Sequence, residues 1–149
     1  MNIYALLIGI ISAILIILYF KKRKLEEEQL PYPILLATFP VYYFAFALYV
    51  SDFVALYKEI GISLIFLLVV YLAIKSDRKI SALLIALACI VHGIYDIYHN
   101  SLFVNNGTPA WWTEFCGSID LILGIYLIYF AIRMPVKVIK LERQKSAAI

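Results

Sequence analysis

Five long apolar runs follow one another along the chain, separated by short clusters of charged and turn-forming residues. They cover about residues 3–20, 33–50, 57–74, 80–98 and 113–134. Runs of ~17–25 apolar residues are what an α-helix needs to cross a bilayer. The pattern therefore predicts an all-α integral membrane protein: a bundle of five transmembrane helices, forming a single membrane-embedded helical domain over residues 1–149. No stretch is left over for a soluble domain.

The breaks between the runs carry their own signals. Leu25 to Gln29 reads as a short solvated helical extension of the first span. Pro31 and Pro33 interrupt it and open the second span, because proline suits a first helical turn and not an interior. Pro40 lies inside that span, where membrane helices tolerate a kink. Tyr42, Tyr43 and Tyr49 fall on its outer half, and Ser51 and Asp52 end it. The third span begins somewhere in 53–60, with Lys58 and Glu59 at its entry. Lys75 to Lys79 forms a tight loop. Asn105-Asn106-Gly107 is a turn signal between the last two spans, and Trp111-Trp112 reads as an interfacial anchor. Pro135 and a basic tail with Lys137, Lys140, Arg143 and Lys145 close the chain.

Charge gives the expected orientation. Lys21, Lys22, Arg23 and Lys24 come directly after the first run, whereas a signal peptide carries its positive charge in front. The segment is therefore read as a retained helix. Five alternating spans put the 21–24, 75–79 and 133–145 clusters on one side and leave only Lys58 on the other. Basic residues mark the cytoplasmic side, so the N-terminus is expected to be extracytoplasmic and the C-terminus cytoplasmic, in a multi-pass protein of the cell (inner) membrane.

Composition supports this class and excludes others. The chain is 64% hydrophobic and 15% charged, with a mean hydropathy of +0.92. A soluble chain of 149 residues cannot hide that much apolar surface. The net charge of +3 is explained by topology and is not a nucleic-acid signal. Cys89 and Cys116 fall at different depths, so both are expected to be free thiols.

Against this background the polar residues of the last two spans stand out. His92, Asp96 and His99 lie within about 60° of arc on one helix face, and Ser81, Ile85, Ala88 and Cys89 continue it inward. Ala82, Ala86 and Gly93 form a small stripe suited to close packing. On the fifth span Thr113, Cys116, Gly117, Asp120 and Gly124 share a face. His92 and Asp120 come out at similar depth. The expected contacts are a His92–Asp120 pair with Asp96 beside it, and a looser His99–Glu114 pair at a wet rim, around a pocket between spans four and five that opens to the outer leaflet.

Three chemistries suit these residues. Imidazole and carboxylate are ordinary ligands of a divalent metal such as zinc, and a catalytic site keeps a position open for water. His92, Asp96, His99 and Asp120 are the candidate ligands. His92, Asp96 and Asp120, with Glu114 as general base, are the candidate catalytic groups. Tyr95, Cys116 and Trp112 are candidates for lining a lipid-like ligand. The first reading is thus a metal-assisted enzyme or binding protein acting on a lipid-like molecule. A metal-free acid/base lipid isomerase is the second. The third is a non-enzymatic accessory or transport subunit, alone or as a homo-oligomer, in which the cluster is a structural hydrogen-bond network. Membrane lipid is the common partner in all three.

Overall fold

The computed structural model describes residues 2–134; the basic tail singled out above lies outside them. Five helices form: α1 (Ile3–Lys22), α2 (Pro31–Tyr49), α3 (Phe53–Lys75), α4 (Arg78–Leu102) and α5 (Trp112–Arg133). All five are long and apolar enough to span a membrane. Large apolar side chains cover the outside, among them Leu15, Leu64, Leu87, Ile125 and Ile132. Such a surface is stable only against hydrocarbon or another protein.

Local chemistry sets the helix ends. Orphan N–H groups at each N-terminus need acceptors. Asn2 accepts from the Ala5 N–H, Asp52 from Ala55, and Asp77 from Lys79 and Ile80. The Ala55 N–H, with Asn106 behind it, holds the half-buried Asp52 carboxyl below the usual carboxylate range. Pro31 and Pro33 open α2, and Pro40 sits within it. At the far end of α3 the Gln29 amide donates to the carbonyls of Ala73, Ile74 and Ser76.

Two boundaries differ from the sequence reading, and both matter. Ser51 takes a left-handed conformation at φ 57°, which lets Asp52 cap α3 directly after α2. The third span therefore starts at Phe53, the early end of the 53–60 range, and Glu59 lies well inside the helix. Likewise α4 continues to Leu102, so His99 is within its last full turn and not beyond its end. The expected solvated extension after α1 is a single 3-10 turn at Leu25–Glu27. It is tied back by a hydrogen bond from the Tyr126 hydroxyl to Glu26 at 2.6 Å.

The most buried helix is α4. It packs against α5, α3 and α2, while α2 also packs on α3, and α1 lies outside on α5. Glycines permit the closest of these approaches. A Cβ on Gly124 would stand 2.6 Å from Ile90 Cγ1 and 2.9 Å from the Ala86 carbonyl oxygen. The Gly93 and Gly117 backbones meet in the same interface, nearer the polar cluster. Small residues at helix crossings are the usual means of packing in lipid, where van der Waals contact replaces the hydrophobic effect. The 103–111 connection then folds back over the bundle. Gly107 lies so close to the Phe46 carbonyl that any side chain there would collide with it. Its φ is not positive, so this glycine is required by space and not by backbone conformation.

Gly124→Ala should force α4 and α5 apart and destabilise the protein by about 1–3 kcal/mol, read as a lower melting temperature in detergent. Gly61, whose Cβ position has nothing within 4 Å, is the control. Gly61→Ala should leave the melting temperature unchanged or raise it. Equal behaviour of the two variants would refute the packing argument.

Candidate functional site

The α4 face that carries the polar residues turns entirely inward. His92 is 2% exposed, and Asp96, His99 and Asp120 are fully buried. The arrangement begins with the glycine contact between α4 and α5. A Cβ at Gly93 would be 3.2 Å from Asp120 Cβ and 3.1 Å from the Gly117 carbonyl oxygen. Without a side chain at 93, α5 comes near enough for Asp120 to reach His92. Nδ1 of His92 lies 2.7 Å from Asp120 Oδ2 and 3.6 Å from Asp96 Oδ2, one turn along the same helix. The Tyr43 hydroxyl of α2 donates to Asp96 Oδ1 at 2.7 Å. Phe39 and Phe66 pack their rings against His92. Two carboxylate oxygens, Asp96 Oδ2 and Asp120 Oδ1, are buried and accept no hydrogen bond from the described residues.

His92, Asp96 and Asp120 each offer one ligand atom, and these atoms all lie within 4.8 Å of one another. That spread is close enough for one ion to touch all three, and one imidazole with two carboxylates is a donor set for a divalent first-row metal. The group could hold a metal. Comparisons with family models, with curated proteins and with solved structures of other proteins found no match. The chemistry of the site is therefore read from its own residues.

A second buried group sits nearer the 103–111 connection. Glu59 of α3 is 3% exposed. It accepts from Tyr95 Oη at 2.8 Å and Asn105 Nδ2 at 3.4 Å, and pairs with His99 Nε2 at 2.8 Å. Asn105 Nδ2 also donates to the Tyr43 carbonyl, and the Tyr43 ring stacks on His99 at 4.6 Å. Tyr43 thus touches both groups.

The candidate residues divide accordingly. The structure brings His92, Asp96 and Asp120 together. It does not bring His99 to them, because His99 is turned to Glu59. The expected His99–Glu114 pair is replaced by this one: α3 starts early enough to carry Glu59 to the level of His99, and the rim is buried under the folded connection. Glu114 points away from the triad, accepting from the Asn2 N–H at 3.0 Å and from Thr113 Oγ1 at 3.1 Å. It lines a cleft of about 390 Å³ with Leu6, Ile97, Gly117 and Leu121, among others. This cleft lies between α4 and α5 with α1 at its side, but the triad does not line it; the triad meets Tyr43 and Phe39 of α2 and Phe66 of α3 instead. Tyr95 binds Glu59. Trp112 is buried against Tyr42 and Phe46, so Trp111, 44% exposed, is the outward-facing member of that pair. Cys116 is buried close to Asp96, and both cysteines are free.

Sequence reasoning missed Glu59 and Tyr43. Glu59 was visible as a carboxylate in an apolar run, which is itself a signal. Its placement at the span entry, beside Lys58, hid it. Tyr43 carried no signal beyond its position on α2.

Glu59→Leu would strand the buried His99 Nε2 and the half-buried Tyr95 hydroxyl, and would leave Asn105 Nδ2 with the Tyr43 carbonyl alone. Breaking a buried ion pair from one side costs about 3–5 kcal/mol, so the variant should melt far below the parent in detergent. Glu114→Gln should have a much smaller effect. If the two variants melt together, Glu59 is not a keystone of the packed bundle.

Proposed function

We propose that this five-span membrane protein holds a divalent cation at His92, Asp96 and Asp120 and uses it to bind or act on a lipid-like molecule. The observation that carries this is the pair of buried carboxylate oxygens without donors, beside an imidazole, with three ligand atoms within 4.8 Å. Charge supports it. Two carboxylates exceed what one imidazole can compensate even when it is protonated, and a divalent cation beside a neutral imidazole brings the sum to zero. Buried charge is costly unless compensated, and among the described residues the ion pairs recorded for these two aspartates are with His92 alone. A bound cation would supply Lewis-acid polarisation of a ligand oxygen. The chain's own residues hold the aspartates: Tyr43 fixes Asp96 from α2, and the α4–α5 contact fixes Asp120 against His92.

The short His92–Asp120 contact favours a second reading, in which the imidazole moves protons between the carboxylates without metal. Metal analysis separates the two. Protein purified without chelator should contain about one divalent cation per chain, or bind one on titration with Zn²⁺ or Mn²⁺, and Asp96→Asn and Asp120→Asn should abolish it. Protein that neither retains nor binds a cation would defeat the metal reading.

We also propose that the site lies near the extracytoplasmic face of the cell (inner) membrane. Lys21, Lys22, Arg23, Lys24, Lys75, Arg78, Lys79 and Arg133 collect at one end of the bundle, and Lys58 stands at the other, which is the positive-inside distribution. A cysteine placed at Asn106 in a Cys89→Ala, Cys116→Ala background should react with a membrane-impermeant thiol reagent on intact cells. Labelling only after the cells are broken would reverse the orientation.

A further inference from the structure

Asp96 presents its two oxygens to different partners. Oδ1 receives the Tyr43 hydroxyl at 2.7 Å, while Oδ2 has no hydrogen-bond donor among the described residues and lies 3.6 Å from His92 Nδ1. A carboxylate held at one oxygen by a strong donor cannot swing freely, so the other oxygen is the one offered to an ion. Tyr43 is itself held. It is 1% exposed, its ring stacks on His99, and its carbonyl accepts from Asn105 Nδ2 at 3.2 Å. Asn105 belongs to the 103–111 connection, where its Oδ1 also accepts from the Gly107 N–H.

We infer that Tyr43 is a positioning residue of the cation site: it sets Asp96 for coordination through Oδ2 alone, and Asn105 sets Tyr43 from the connection above. The inference rests on the cation-binding reading. Partners that orient ligands from outside the coordination sphere are typically worth about 10–100-fold in metal affinity. Removing the Tyr43 hydroxyl also frees Oδ1, which lets Asp96 rotate or coordinate through both oxygens. The change should therefore appear in the geometry of the bound ion as well as in its affinity.

The test is titration of the full chain in detergent with Co²⁺, whose visible absorption reports coordination number and geometry. Saturable binding of one Co²⁺ by the unaltered protein is the starting point, and its absence sinks the cation reading together with this inference. Tyr43→Phe should then bind Co²⁺ about 10–100-fold more weakly, with an altered absorption band. Asn105→Ser should shift both in the same direction by less. A melting temperature that falls in Tyr43→Phe while Co²⁺ affinity and spectrum stay unchanged would make Tyr43 a packing residue only, leaving the cation reading intact. If Tyr43→Phe does not fold, Asn105→Ser carries the decision: parental affinity and spectrum in that variant overturn the inference.

Discussion

Everything in this bundle depends on compensating ionisable groups where no water reaches them. Three carboxylates and two imidazoles are buried in a molecule whose outside is aliphatic and aromatic. Taking an ion out of water costs several kcal/mol even after relaxation, order of magnitude. The contact that makes this tolerable around His92 is the His92–Asp120 bond between α4 and α5. It exists because Gly93 and Gly117 let two backbones meet. The glycines are thus part of the polar site although they contribute no polar side chain. Such a site cannot be altered without altering how the two central helices pack.

The two buried groups are differently finished. Around Glu59 the donors nearly match the acceptors: an imidazole, a phenol and an amide converge on one carboxylate. Around His92 the acceptors outnumber the donors, since two carboxylates share one imidazole, one phenol and the weakly donating thiol of Cys116. A satisfied network rigidifies, while an unsatisfied one is expensive. The contrast assigns the Glu59 group to holding the bundle together and leaves the His92 group with capacity for something more. Tyr43 joins them, giving its hydroxyl to one, its ring to the other and its carbonyl to the connection that covers both.

The sequence made the helices legible because hydrocarbon imposes a long, unambiguous signal. Five runs gave five helices, with small boundary shifts. The His92–Asp120 contact could be anticipated for a similar reason: α4 and α5 are antiparallel neighbours, so equal depth implies proximity. Contacts from α2 and α3 could not be reached in that way. Their rotation about their own axes is set by packing, and runs that are apolar on every side conceal it. Glu59 was further displaced by a boundary. One residue in left-handed conformation, Ser51, lets α3 start early enough to bring a carboxylate in from the rim. The same helical register that turned His99 toward Glu59 turned it from Glu114.

Helices enter a membrane in the order in which they are made, and that order weighs unequally on the two groups. His92 and Asp96 are one turn apart on α4 and reach the bilayer as a pair already in contact. Glu59 is separated from His99 by 40 residues and from Asn105 by 46. Its helix is synthesised in full before any of its buried partners exists. During that interval the third helix carries a carboxyl group whose partners have yet to be made, which raises the cost of placing that end of it in hydrocarbon. The finished fold hides this asymmetry, but biogenesis meets it in every copy.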